Sequence, residues 1–377
     1  MEDRLITIAI HTYEKALILK SLLESEGIAV TLQNVNLLQP VVSSGVRVRI
    51  KESNLPLALR IIESSDLLCP GKEDNTPAHS AADSDPVVIV PVDESPAPHA
   101  AISLAFRMAA THKAKIVLLH AYMIPPVGIN NPLNDALTFS SEIAQNREAV
   151  DMETMATRLM DSIGKEVKDK IKDGTLPPVR YTTRIEEGVP EEVIRQVARE
   201  LKPMLIVMGT RSTSQRQREM FGSVTAEVID TCRHTVLTVP DDSSPMADDV
   251  IPSALFFGNM DQSDLLALDE LYRLAGSSRL DVTIVNVTSK RTARSAGESM
   301  KALLRYCAEH FPTFNCKSAE IRQGNASDDI NLLLHEYRVD FLAIPNKRRN
   351  AFTRIFNPSL AHKLLYDTSL PMIAIPV

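Results

Sequence analysis

VVIVPVDESPAPHAAISLAFRMA, residues 87–109, occurs a second time in altered form as SALFFGNMDQSDLLALDELYRLA, residues 253–275, a constant shift of 166 positions. Each version opens on a short apolar run. Each continues into a stretch whose apolar residues return every three or four positions, the pattern of a buried strand followed by an amphipathic helix. The same shift carries IVLLHAY, residues 116–122, onto VTIVNVT, residues 282–288. Farther on, EGVPEEVIRQVARELKPMLIVMG, residues 187–209, matches QGNASDDINLLLHEYRVDFLAIP, residues 323–345, at a shift of 136. From Gly209 to Pro240 is 31 positions, and from Pro345 to Pro376 is again 31. Self-similarity at a fixed spacing means one structural unit used twice. The change of shift from 166 to 136 gives the first copy 30 extra residues, which fall in the polar stretch PPVGINNPLNDALTFSSEIAQNREAV, residues 125–150.

Within the first copy, VVIVPV, KIVLLHAY, MLIVMG and TVLTVP alternate with helical stretches. Continuous apolar runs of this length are strands buried on both faces, and helical crossovers between them make the sheet parallel. The expected fold is therefore α/β, with two tandem doubly wound parallel-sheet domains. Such sheets bind ligands beyond the carboxyl ends of the strands, where the strand order reverses. Two polar joints without apolar period, CPGKEDNTPAHSAADSDP from Cys69 and DDSSPMADD from Asp241, divide the chain. The expected organisation is a small domain over residues 1–68, a linker over 69–85, the first copy over 86–241, a linker over 242–249 and the second copy over 250–377. In the small domain, LITIAI, IAVTLQN and GVRVRIK read as strands. YEKALILKSLLESEG reads as a helix stopped at Gly27, and LPLALRIIESS as a closing helix, which gives a βαββα α+β order.

Composition narrows the function classes. The 377 residues are 44% apolar and 24% charged, with a formal charge of −7. That balance argues against nucleic-acid partners, whose phosphates are held by clustered Lys and Arg. Cys69, Cys232, Cys307 and Cys316 show neither a CxxC nor a ligand-like pairing with histidine, so neither disulfides nor a metal site is expected. The amino-terminal apolar run is too short for a signal peptide, and no run reaches the ~18 residues of a membrane helix. A cytoplasmic protein without a membrane partner is expected.

The chemistry concentrates in MGTRSTSQRQREMFGSVTAEVID, residues 208–230. The chain has only 13 glycines, yet Gly209 ends a predicted strand and Gly222 precedes a predicted helix opened by Ser223 and Val224. A glycine marks backbone that must turn tightly or be approached closely. A helix amino terminus presents N–H groups and the positive end of a dipole to an anion.

With VDES, LIVMG, GSV and TVLTVP, this stretch resembles the universal stress protein family over residues 86–377. The first 66 residues resemble a small bacterial domain described as signal-transducing. The resemblance implies a Rossmann-type fold like that of the adenine nucleotide alpha-hydrolases. Nucleotide-binding members carry Gly, two residues, Gly, nine residues, then Gly followed by Ser or Thr. Those places hold Gly209, Ser212, Gly222 and Ser223 here. The implied ligand is ATP or a related adenine nucleotide, with magnesium. Asp93 would reach the ribose or a metal-bound phosphate, and His120 would lie where members touch adenine through backbone. Arg211, with Arg216 and Arg218, would meet phosphate oxygens.

Each residue also has a plainer reading. Asp93 would start a turn, His120 would be a partly buried packing residue, and the loop arginines would simply be solvated. Ser212 departs from the pattern. Where the family backbone needs positive φ, a non-glycine residue costs roughly 1–2 kcal/mol. In the second copy Asn259, Pro345, Arg348, Pro358 and Ser359 take the places of Asp93, Gly209, Ser212, Gly222 and Ser223, so that site is degenerate. The family's association through last strands implies an intramolecular pseudo-dimer through TVLTVPD and PMIAIPV, and allows a homodimer. No motif builds a nucleophile or a positioned general base, so no enzyme is expected. The competing reading is a nucleotide-independent scaffold that works through protein contacts.

Overall fold

The computed structural model describes residues 5–11, 13–33, 46–54, 57–58, 61, 85–95, 97–123, 138–210, 223–243, 252–258, 262–288, 293–322, 332–346 and 370–377. Two compact units result, one from residues 81–209 and the other from residues 1–80 with 210–377. No helix among the described residues is long and apolar enough to cross a membrane.

The unit of residues 81–209 is built on parallel strands. Strand β4 (Val87–Pro91) leads through helix α2 (Pro98–His112) to β5 (Lys115–Tyr122). Helix α3 (Thr138–Lys172), β6 (Tyr181–Glu187), α4 (Pro190–Leu201) and β7 (Leu205–Thr210) follow. The strand order is β7-β4-β5-β6. The chain moves outward from β4 to β6 and then returns to place β7 on the opposite side of β4. The order therefore reverses between β4 and β7, the kind of place where ligands bind beyond the strand ends of such sheets.

Burial follows the apolar period. Val87 to Val90 and Ile116 to Leu119 are buried, and α2 turns Ala101, Ile102, Ala105, Phe106 and Ala109 inward. On α3 the buried residues are Ala156, Met160, Ile163 and Val167, spaced four, three and four apart. The extra residues of the first copy are partly helical, because α3 starts at Thr138. TFSSEIAQNREAV holds neither Gly nor Pro and is rich in helix formers, which lets the helix extend.

In the other unit, β1 (Leu5–His11), β2 (Val30–Gln33) and β3 (Val46–Lys51) form an antiparallel sheet in the order β1-β3-β2. Helix α1 (Tyr13–Ser25) covers a core of Ala16, Leu19, Leu23, Ile28, Val48 and Ile50. Gly27 has φ +84°, and the Ile28 N–H donates to the Leu23 carbonyl at 3.0 Å, a left-handed helix stop at the expected glycine. Of the expected closing helix, only residues 57, 58 and 61 are described, and Ala58 and Ile61 join this core.

The same unit holds α5 (Ser223–Thr231), β8 (Val236–Pro240), β9 (Ser253–Phe257), α6 (Gln262–Ala275) and β10 (Leu280–Thr288). It continues through α7 (Ala293–His310), β11 (Phe314–Arg322), β12 (Phe341–Asn346) and β13 (Met372–Pro376). These strands are ordered β11-β10-β9-β12-β13-β8. The first four repeat the order β6-β5-β4-β7. Strand β13 then pairs antiparallel with β8, Met372 opposite Thr238 and Ala374 opposite Val236.

The repeat reaches individual hydrogen bonds. Val92 N donates to Leu119 O at 2.8 Å, and 166 positions later Gly258 N donates to Val285 O at 2.9 Å. Lys115 N to Pro86 O is matched by Asp281 N to Pro252 O. Asp241 N to Thr210 O is matched, 136 positions on, by Val377 N to Asn346 O. Lys202 (φ +46°) and Arg338 (φ +45°), also 136 apart, both take left-handed backbone.

Strand β6 lies at one end of its unit's order and carries a charge clasp. Arg184 Nη1 and Nη2 donate to the two oxygens of Glu200 at 3.0 and 2.9 Å, and Nε donates to Glu186. The guanidinium holds the Glu200 carboxyl below its ordinary 4.5. The associated stability is present above 4.5 and is lost as pH falls through the depressed folded value. A carboxyl-detected NMR titration should find Glu200 titrating below 4.5, and Arg184→Gln should return it toward that value.

Candidate functional site

Strands β4, β5 and β7 deliver Asp93, His120 and Gly209 to the same end of one parallel sheet, because each residue sits at or just beyond a carboxyl terminus. Asp93 and Gly209 lie at the strand ends on either side of the point where the order reverses. His120 stands on the β5 side of β4.

Gly209 is fixed by close approach. A Cβ there would lie 2.4 Å from the Ala97 carbonyl oxygen, 2.5 Å from its carbon and 2.9 Å from Pro98 N. These are backbone atoms at the start of α2, which cannot rotate away. The glycine therefore lets β7 pass against the entrance of α2, and it does so without positive φ.

Asp93 is exposed and organises the turn that leaves β4. Its Oδ1 accepts the Ser95 N–H at 3.0 Å and the Ser95 hydroxyl at 2.5 Å. This is the turn-starting role, built from one carboxylate oxygen. His120 is half-buried, and its Nδ1 donates to the Val92 carbonyl at 2.8 Å. In the neutral ring that bond leaves Nε2 as the acceptor. Since Val92 N is also bound by Leu119 O, both backbone groups of Val92 are held from β5, and the departure point of the Asp93 turn is set.

In the other unit, helix α5 spans Ser223–Thr231. Val224 is half-buried on its first turn, while Thr225, Val228 and Ile229 are buried. Arg211, Ser212 and Gly222 lie outside the described residues, as do Asn259, Arg348, Pro358 and Ser359. Pro345 is a buried member of β12 and pairs with Ile375.

Thr210 was not singled out by the sequence. It is 3% exposed, its hydroxyl has no hydrogen-bonding partner among the described residues, and its carbonyl accepts the Asp241 N–H at 2.9 Å. Threonine in an apolar strand is too ordinary for the sequence to have flagged it. Among the described residues no cluster of three or more His, Cys, Asp and Glu could hold a metal ion.

Residues 86–240 match the model of the Universal stress protein family. No curated protein matches the chain. Among solved structures, a universal stress protein from Archaeoglobus fulgidus is 13% identical, with a TM-score of 0.54 over 77% of this chain and 98% of that one. The universal stress protein UspA from Lactobacillus plantarum is 24% identical over 41% of this chain and 96% of that one, with a TM-score of 0.30. A protein of the universal stress protein family from Burkholderia pseudomallei is 20% identical over 41% and 95%, with a TM-score of 0.27. The first likeness is one of fold, and its 77% coverage reaches well past residues 86–240.

The approach of Ala97 to Gly209 makes a direct prediction. Gly209→Ala should lower unfolding stability by roughly 1–3 kcal/mol, the usual cost of overpacking against atoms that cannot yield. Denaturant unfolding of the variant reads that loss, and wild-type stability would mean that the corner is looser than 2.4 Å implies.

Proposed function

We propose that the Universal stress protein-like stretch, residues 86–240, binds ATP or a related adenine nucleotide, with magnesium, as a cytoplasmic regulatory protein in stress response. The observation that carries this reading is the run from Gly209 through Ser212 to Gly222 and Ser223. In the sequence it follows β7 (Leu205–Thr210) and precedes α5 (Ser223–Thr231), and a run closed by glycine ahead of a helix amino terminus is a pattern that offers N–H donors to phosphate. The buried Thr210 hydroxyl, without a partner among the described residues, supports it. Asp93 adds a carboxylate at the neighbouring strand end, with one oxygen left outside its turn. His120 serves the site as a support for Val92. Arg211 is assigned to phosphate oxygens, and Val224 to the first turn of the helix.

The second copy is read as a degenerate partner that binds no nucleotide. Proline at 345 removes an N–H donor where the first copy has Gly209. Antiparallel pairing of β8 with β13 supports a pseudo-dimer joined through the last strands. Such pairing also covers two apolar edges that would otherwise template aggregation. No catalytic role is assigned. The scaffold reading rests on Ser212, which stands where the nucleotide-binding pattern has glycine.

Thermal unfolding with ATP and magnesium separates the two readings. Ligand at 100 times its dissociation constant should add about 2.7 kcal/mol. No shift at millimolar ATP would favour the scaffold. Ser212→Gly should tighten ATP about five- to thirtyfold, corresponding to the roughly 1–2 kcal/mol cost of a left-handed non-glycine residue. An unchanged dissociation constant would show that this position is not held at positive φ.

A further inference from the structure

Helix α5 is buried on two sides. At about 100° of turn per residue, Thr225, Val228 and Ile229 share one face, and all three are buried. That side belongs to the large sheet, where α5 lies against β8 and the Asn346 side-chain amide donates to the Ile229 carbonyl at 2.6 Å. Glu227 stands roughly opposite, where a surface helix turns its charged residues to water. It is nevertheless only 8% exposed, whereas Asp230 on the next turn is exposed.

The burial of Glu227 calls for a second layer, and strand β1 of the small domain lies against α5. Strand β1 ends the order β1-β3-β2, and a helix laid on a terminal strand keeps its free edge from templating another chain. With nine residues, α5 is too short to hold its shape alone, since isolated helices below ~12–15 residues are marginal in water. Its order comes from what packs on it. The large sheet supplies one layer and the small domain the other.

We propose that the small amino-terminal domain regulates nucleotide binding by docking β1 on α5, an inference that rests on the run closed by Ser223 presenting its donors to phosphate. With β1 in place, α5 is held on both sides and its first N–H groups stand ordered. A ligand is then spared the cost of ordering them. When β1 leaves, one layer goes with it and the helix opens more easily. Linkage makes the effect mutual: whatever docking adds to nucleotide affinity, bound nucleotide adds to docking.

The test is hydrogen–deuterium exchange of the full-length chain, read by mass spectrometry with and without ATP and magnesium. ATP should slow exchange in residues 223–231 and also in residues 5–11, which lie outside the nucleotide-binding run. Glu227→Lys, which reverses the charge on the covered face, should speed exchange in residues 5–11 without ligand. It should also weaken ATP about fivefold or more, the lower end of ordinary coupling between sites. ATP that raises the unfolding temperature yet leaves residues 5–11 at their unliganded rate would overturn the regulation and leave the binding reading standing. Wild-type exchange of residues 5–11 in a folded Glu227→Lys chain would overturn the docking itself. No stabilisation by ATP would remove the binding reading, and the regulation with it. The wild-type comparison decides the outcome even where the variant fails to fold.

Discussion

A strand that leaves water with apolar side chains on both faces must take its peptide groups with it, and each N–H and C=O then needs a partner. This requirement organises both copies of the repeat. The Val92–Leu119, Lys115–Pro86 and Asp241–Thr210 bonds reappear as Gly258–Val285, Asp281–Pro252 and Val377–Asn346, although the side chains at those places have largely changed. Backbone pairing tolerates almost any side chain that fits. Side chains at the strand ends could therefore diverge while the ladder was kept.

That separation explains what the sequence disclosed. Two repeats at fixed shifts, apolar runs of strand length and helical periods were sufficient for a parallel α/β fold, and Gly27 announced its helix stop. Other stops were hidden, because Lys113, Lys202 and Arg338 take left-handed backbone without being glycine. In a chain with 13 glycines, several helices end against residue preference, and tertiary packing bears the cost.

The candidate site was legible as a set of positions but not as a set of jobs. Asp93 holds a turn through Ser95, His120 holds Val92, and Gly209 admits the backbone of Ala97. None of these jobs needs a ligand. Together they fix the ends of three adjacent strands, β7, β4 and β5. Residue types alone cannot separate support from contact, since both favour short polar side chains and glycine at strand ends.

The two copies differ most sharply at the corner where the first is tightest. At Gly209 no Cβ fits beside Ala97 O, yet the matching place in the second copy holds Pro345, which carries a Cβ and a whole ring and is buried in β12. The approach seen at Gly209 cannot be reproduced there. Pro345 also brings no N–H. One substitution therefore removes a donor, while leaving intact the ladder bonds from Asp340 to Ser253 and from Val377 to Asn346 on either side. A fold held by backbone pairing can change a strand-end residue in this way and keep its architecture.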